Sequence, residues 1–111
     1  MWISWHGDIE KDLKKLRRFS APLESLEAWE RYFNLKGLQE TPSVESFPGF
    51  SERKIFKGRV VPLKENFGKS KGYRVVFEMQ SEDSCFILVF SRHGIYHNEA
   101  DLIKLVKERL C

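Results

Sequence analysis

At 111 residues the chain has room for one domain with a modest core, and 41% hydrophobic with 14% aromatic residues excludes a disordered polypeptide. A net charge of +3 is too small to name a polyanionic partner, so the placement of the charges has to decide. Cys85 and Cys111 make neither a disulfide framework nor a metal-ligand spacing, and the absence of a signal-peptide pattern or an apolar run of about 20 residues predicts a cytoplasmic protein with no membrane partner.

Trp2-Ile3-Ser4-Trp5-His6 combines aromatic and β-branched residues and predicts a short first strand. Asp8 stands where a helix N-cap belongs. Ile9, Leu13 and Leu16 then recur at i, i+4 and i+7, which predicts a helix over residues 9–18. Lys11, Lys14, Lys15, Arg17 and Arg18 take its other faces and its last turn, where they complement the helix dipole. Ser20-Ala21-Pro22 marks a break and a restart, with Ser20 as the expected cap and Pro22 in the first turn. Leu23, Leu26, Ala28, Trp29 and Phe33 supply the apolar side of a second helix reaching about residue 34, so the two helices form an αα-hairpin. From Gly37 to about residue 53, Pro42, Pro48, Gly49 and several Ser and Glu predict a covering loop, pinned by Phe47 and Phe50.

Residues 55–63 read as a strand interrupted near Pro62, and residues 66–72 as a Lys/Gly loop. Residues 73–79 and 85–91 are two further strands, joined by the polar loop Gln80-Ser81-Glu82-Asp83-Ser84. Asn98 is the expected cap of a last helix over residues 99–110, with Leu102, Ile103, Val106 and Leu110 on its apolar face. The predicted order is β-α-α-β-β-β-α. This is a single α+β domain over residues 1–111: an antiparallel sheet meander packed by an N-terminal helix hairpin and a C-terminal helix.

Alternation along residues 73–79 puts Tyr73, Val75, Phe77 and Met79 on one face and Arg74, Val76 and Glu78 on the other. Both faces carry apolar residues, so Arg74 is expected in a groove; a salt bridge to Glu78 or Glu65 is the plainer use for it. Lys64, Lys69 and Lys71 stand near Gly68 and Gly72. Such glycines let backbone N–H groups approach an anion and the lysines add point charge, although a solvated hairpin is the commoner use of such a loop. Arg92, His93, Tyr96 and His97 follow the last strand. If the two strands pair, these groups converge with Arg74 and the lysines on one edge of the sheet. His93 and His97 have no nearby Cys or third His, so no metal is expected.

Such a set suits cleavage of RNA by the neighbouring 2′-OH. That reaction needs a group to take the hydroxyl proton, a donor for the leaving 5′-oxygen, and cations at the phosphorane. His93 or His97 can transfer protons near neutral pH, Tyr96 can donate a proton or stack on a base, and Arg74 and Arg92 can grip phosphate oxygens bidentately. No paired carboxylates stand where magnesium would be held, which favours a mechanism without metal or other cofactor. The expected catalytic set is Arg74, Arg92, His93, Tyr96 and Lys64, with Lys69, Lys71, Tyr73 and His97 contacting RNA.

Gly68-Lys69-Ser70-Lys71-Gly72-Tyr73-Arg74-Val75-Val76-Phe77 resembles the "GKSGGYRVIY" signature of the RelE/ParE superfamily of bacterial and archaeal toxins. Ile87-Leu88-Val89-Phe90-Ser91-Arg92-His93-Gly94-Ile95-Tyr96 resembles the strand and tail that follow it in the RelE- and HigB-like ribonuclease branch. The resemblance implies the β-α-α-β-β-β-α fold, metal-free cleavage of mRNA in the ribosomal A site, and neutralisation by a small cognate antitoxin. It matches Arg74 to the arginine of the Tyr-Arg motif, Arg92 to the arginine after the last strand and Tyr96 to the tyrosine near the C-terminus. Lys64, Lys69 and Lys71 match basic strand and loop positions. Tyr96 lies closer to Arg92 than in RelE itself, His93 and His97 stand outside the RelE pattern, and the 37–53 loop is longer than in compact members. A ParE-like inhibitor of DNA gyrase and a non-catalytic interaction module of the same fold are the alternatives; a gyrase binder has no need of a phosphate-transfer set.

Overall fold

The structure is a computed structural model that describes residues 1–64, 72–92, 94–95 and 98–111. Its elements run β1 (Trp2–Trp5), α1 (Ile9–Lys15), α2 (Pro22–Glu40), β2 (Val44–Ser46), β3 (Ile55–Val60), β4 (Tyr73–Ser81), β5 (Ser84–Arg92) and α3 (Glu99–Leu110). The strands make one five-stranded sheet in the order β1-β5-β4-β3-β2. The layout is α+β, but two expectations are corrected: a fourth strand follows the helix pair, and the sheet is mixed. β1 runs parallel to β5, with Trp2 opposite Ser84 and Trp5 opposite Ile87, while the other pairs are antiparallel. A hairpin imposes antiparallel direction on the strands it joins, and β1 and β5 stand near opposite ends of the chain. The added strand β2 has three residues, too few to show an alternation, inside the segment expected to be all loop.

α1 ends at Lys15, earlier than its apolar spacing predicts, and α2 continues to Glu40 across a break at Gly37 (φ 79°, ψ 178°), a backbone state that suits glycine. Ser20 does not cap α2. Ala21 takes that position, while Ser20 Oγ donates to the Leu63 carbonyl at 2.8 Å and Ser25 Oγ accepts from the Leu63 N–H at 3.0 Å. Two serines thus fasten the chain beyond Pro62 to the start of α2. Asn98 caps α3 as expected, its Oδ1 accepting from the Asp101 N–H at 3.0 Å.

The sheet buries both faces. Tyr73, Val75 and Phe77 of β4 pack with Phe90 and Ile87 of β5 under Ile9, Leu16, Leu26, Trp29 and Phe33 of the α1–α2 segment. Trp29 and Phe33 stack at 4.8 Å, and Phe33 meets Phe77 edge-on at 5.1 Å. On the opposite face Val76, Leu88 and Val89 pack with Leu102 and Val106 of α3 and with Phe47, Phe50 and Ile55. Leu88 and Val89 reach the same cluster because the register shifts there: Val76 lies opposite Val89, and Phe77 opposite Ile87. Gly58 lies where β3 passes under α2; a Cβ there would stand 3.3 Å from Val44 Cγ2 and 3.4 Å from Val75 Cγ1, so those methyls would have to give by a few tenths of an ångström. Among the described residues no helix is long and apolar enough to cross a membrane.

β1 is shorter than β5, and side chains finish the open edge. The His6 N–H donates to the Ile87 carbonyl at 2.8 Å, after which the Phe90 N–H donates to Asp12 Oδ2 (3.0 Å) and the Leu88 carbonyl accepts from Arg109 Nη1 (2.7 Å). Asp12 and Arg109 pair through two bonds of 2.7 and 2.8 Å, with Asp12 only 2% exposed. This buried clasp ties α1, β5 and α3 together, and each ion satisfies a backbone group that would otherwise lack a ladder partner.

Candidate nucleic-acid interface

Arg74 shares its sheet face with Val76, the face covered by α3. Across β3 its register partner is Arg59, and across β5 it is Ser91. Lys57 stands two residues before Arg59, on the same side of β3. These three cations line a cleft of about 240 Å³ together with Ser43, Val44, Glu45 and Gly58. Two arginines directly opposite each other on paired strands repel and reduce sheet stability. An arrangement of this kind is favourable when an anion lies between or over the guanidiniums, and planar guanidinium edges match phosphate oxygens bidentately.

Lys57 shapes the cleft wall. Its ammonium lies 5.0 Å over the Phe47 ring and pairs with Glu99 at the start of α3 and with Glu45 at 3.7 Å. Both carboxylates are largely exposed, 71% for Glu45 and 57% for Glu99, while the Lys57 side chain is 18% exposed, so its charge is already matched by two acids that water reaches from one side. Of the two carboxylates expected as plainer partners of Arg74, Glu78 accepts from Arg53 Nε at 2.6 Å and Nη2 at 2.9 Å, and Glu65 lies outside the described residues. The Arg53–Glu78 pair borders a larger cavity of about 650 Å³ between Leu38 and Met79, whose acids Glu52, Glu78 and Glu82 do not suit a polyanion.

The remaining expected site residues separate. Arg92 is opposite Tyr73, so it belongs to the α1–α2 face and not to the face of Arg74. Its guanidinium lies 4.4 Å from the Phe19 ring centroid and 5.2 Å from that of Tyr73. Arg74 and Arg92, expected on one edge of the sheet, stand one register step apart at the same end of the β4–β5 pair, but on opposite faces. Tyr73 is fully buried, stacked on Phe90 at 5.0 Å, with its hydroxyl donating to the Ser20 carbonyl at 2.8 Å. The alternation that puts Tyr73 with Val75 and Phe77 sends its ring into the core, away from any RNA. Lys64 is exposed with φ 66° just beyond the fastened Leu63 and is not among the residues lining the cleft. Glu65, Lys69, Lys71, His93, Tyr96 and His97 lie outside the described residues.

Sequence reading passed over Lys57 and Arg59. Their two-residue spacing within a strand placed them on a common face, but only the register reveals that this face is Arg74's. Compared with known proteins, the chain matches no family model, no curated protein and no solved structure.

Proposed function

We propose that the chain is the toxin of a type II toxin–antitoxin system, a RelE/HigB-like endoribonuclease that acts in the cytoplasm, cleaves mRNA on the ribosome and is held inactive by a small cognate antitoxin. The observation that carries the reading is the cationic cleft in which Arg59 lies directly opposite Arg74 with Lys57 beside them. The resemblance of residues 68–77 and 87–96 to the superfamily's motifs supports the same reading.

In this reading Arg59 and Arg74 hold the non-bridging oxygens of the scissile phosphate. The 2′-oxygen attacks phosphorus in line, the bond to the 5′-oxygen breaks, and a 2′,3′-cyclic phosphate remains. Charge grows on the phosphoryl oxygens in the transition state, and fixed guanidiniums at that position lower the barrier without reorganising. His93, His97 and Tyr96 are the proton-transfer groups of this reading, and Lys64, Lys69 and Lys71 its contacts to the RNA backbone. No metal or other cofactor takes part, so chelation by EDTA leaves cleavage unchanged when ribosome integrity is controlled.

Primer extension on a translated message after induction of the chain tests the reading. Discrete cuts within codons, lost in Arg74→Ala and Arg59→Ala, support it. Intact mRNA with arrested replication sinks it and favours a gyrase inhibitor.

A further inference from the structure

The basic face of α1 has no role in the cleft, which opens on the other side of the sheet. Lys11, Lys14, Lys15, Arg17 and Arg18 are all exposed. Five cations against one carboxylate, Asp12, leave residues 11–18 with a formal +4 in a chain whose total is +3. Asp12 is turned inward and paired with Arg109, and the exposed acid of α1, Glu10, stands in its first turn, so residues 14–18 carry four exposed cations and no acid. Lys11 is drawn toward Asp8 at 3.5 Å, so the positive field is strongest from Lys14 onward.

The end of this row is held in place. The turn after α1 continues through Arg17 N–H to Lys14 carbonyl (3.3 Å) and Phe19 N–H to Leu16 carbonyl (2.9 Å). Phe19 then receives the guanidinium of Arg18 at 4.9 Å and that of Arg92 at 4.4 Å. Stacking uses the face of a guanidinium, and phosphate recognition uses its edge. One aromatic ring thus joins the basic turn to the end of β5.

We propose that this surface, from Lys14 to Arg18 and extended by Arg92, docks the phosphate backbone of double-helical RNA, separately from the cleft that takes the scissile strand. The choice of RNA rests on the ribonuclease reading; the choice of a backbone-binding duplex site rests on the surface itself. Residues 11–18 contain no aromatic residue to stack an unpaired base, and the deep, narrow major groove of an RNA duplex keeps their lysines and arginines on the phosphates. The neighbouring Phe19 has two guanidiniums against it. Phosphate-directed contacts without base readout are how duplex RNA is held by shape and charge. A lipid surface fits less well, because a membrane-lying helix needs exposed apolar residues and Ile9 and Leu16 are 0% and 2% exposed in the core.

The test is fluorescence anisotropy of a labelled RNA hairpin over a salt series, with the full chain and with Lys14→Gln/Lys15→Gln/Arg17→Gln/Arg18→Gln. The plot of log K against log salt is expected to lose about 3 to 4 units of slope in the variant. The charge-conserving Arg17→Lys/Arg18→Lys keeps the slope. Binding of a non-cleavable single strand through Arg74 stays unchanged, which shows that the variant is folded. An unchanged slope overturns the proposal, as does tighter binding to duplex DNA of the same sequence, or capture by phosphatidylserine vesicles without binding to the hairpin. Loss of single-strand binding to the cleft with hairpin binding retained would instead strike the ribonuclease reading and leave the docking surface standing.

Discussion

The two faces of the sheet use the same cross-strand geometry for opposite ends. On the α1–α2 face, Arg92 lies opposite Tyr73 and rests on its ring and on that of Phe19. On the α3 face, one step along β4, Arg74 lies opposite Arg59. The first pair stabilises the sheet, by about 0.5–1 kcal/mol for an exposed cation–π contact and more as it is buried. The second sets two like charges opposite each other, which taken alone disfavours the pairing. Two arginines one register step apart thus meet different surroundings, aromatic rings on one face and a second arginine on the other.

The clasp at the edge of β5 joins the two faces, and its removal has the largest expected effect. Asp12→Ala leaves the Arg109 guanidinium buried beside an unbonded Phe90 N–H and is expected to cost about 3–5 kcal/mol in urea denaturation. A cost under about 1 kcal/mol would mean that the edge is closed by other contacts. Next come the arginines. Arg59→Ala and Arg74→Ala should each reduce the rate of cleavage by about 100- to 1,000-fold, the effect of removing one preorganised transition-state donor. Arg92→Ala should do the reverse, losing about 1 kcal/mol of stability and less than about tenfold in rate. Equal rate losses at Arg74 and Arg92 would erase the distinction between the faces.

Smaller effects come from titratable groups of the α1–α2 side. Burial raises the Glu30 carboxyl above its ordinary value of 4.5, against the opposing hydrogen bond from Trp5 Nε1 at 2.6 Å. The native state then holds this proton more tightly than the unfolded chain, so the contribution is present below the unfolded value and is lost as pH rises through the folded one. Glu30→Gln should flatten that fall in melting temperature across the mildly acidic range; an identical pH profile would count against the raised value. Burial, aided by Glu30, also pushes the Cys85 thiol up to about 12, so iodoacetamide should alkylate Cys111 in the folded protein and Cys85 only after unfolding.

Much of this was legible in the amino-acid sequence where a local rule applied. The apolar spacing of residues 9–16, the Pro22 restart and the Asn98 cap each mark an element that the fold contains. The direction of β1 and the presence of β2 depend on partners far along the chain, which no local pattern carries. The site divides in the same way. Alternation put Arg74 away from the Tyr73 face, but pairing register decides which residues share a face, and a one-residue difference reverses every side chain. That is why the strand pattern brings Arg74 and Arg92 to one end of the sheet without dividing them between its faces, and why Lys57 and Arg59 look like an ordinary strand.

The central claim is that a phosphodiester sits between Arg59 and Arg74. It is tested most directly by following the arginine side-chain Nε–Hε resonances in NMR spectra while titrating an RNA oligonucleotide with 2′-deoxy substitution, which binds without being cut. The account expects the resonances of Arg59 and Arg74 to move together and saturate at one affinity, with the Lys57 ammonium perturbed in step. Saturable shifts confined to Arg92, Arg17 and Arg18, with Arg59 and Arg74 unmoved, would contradict it.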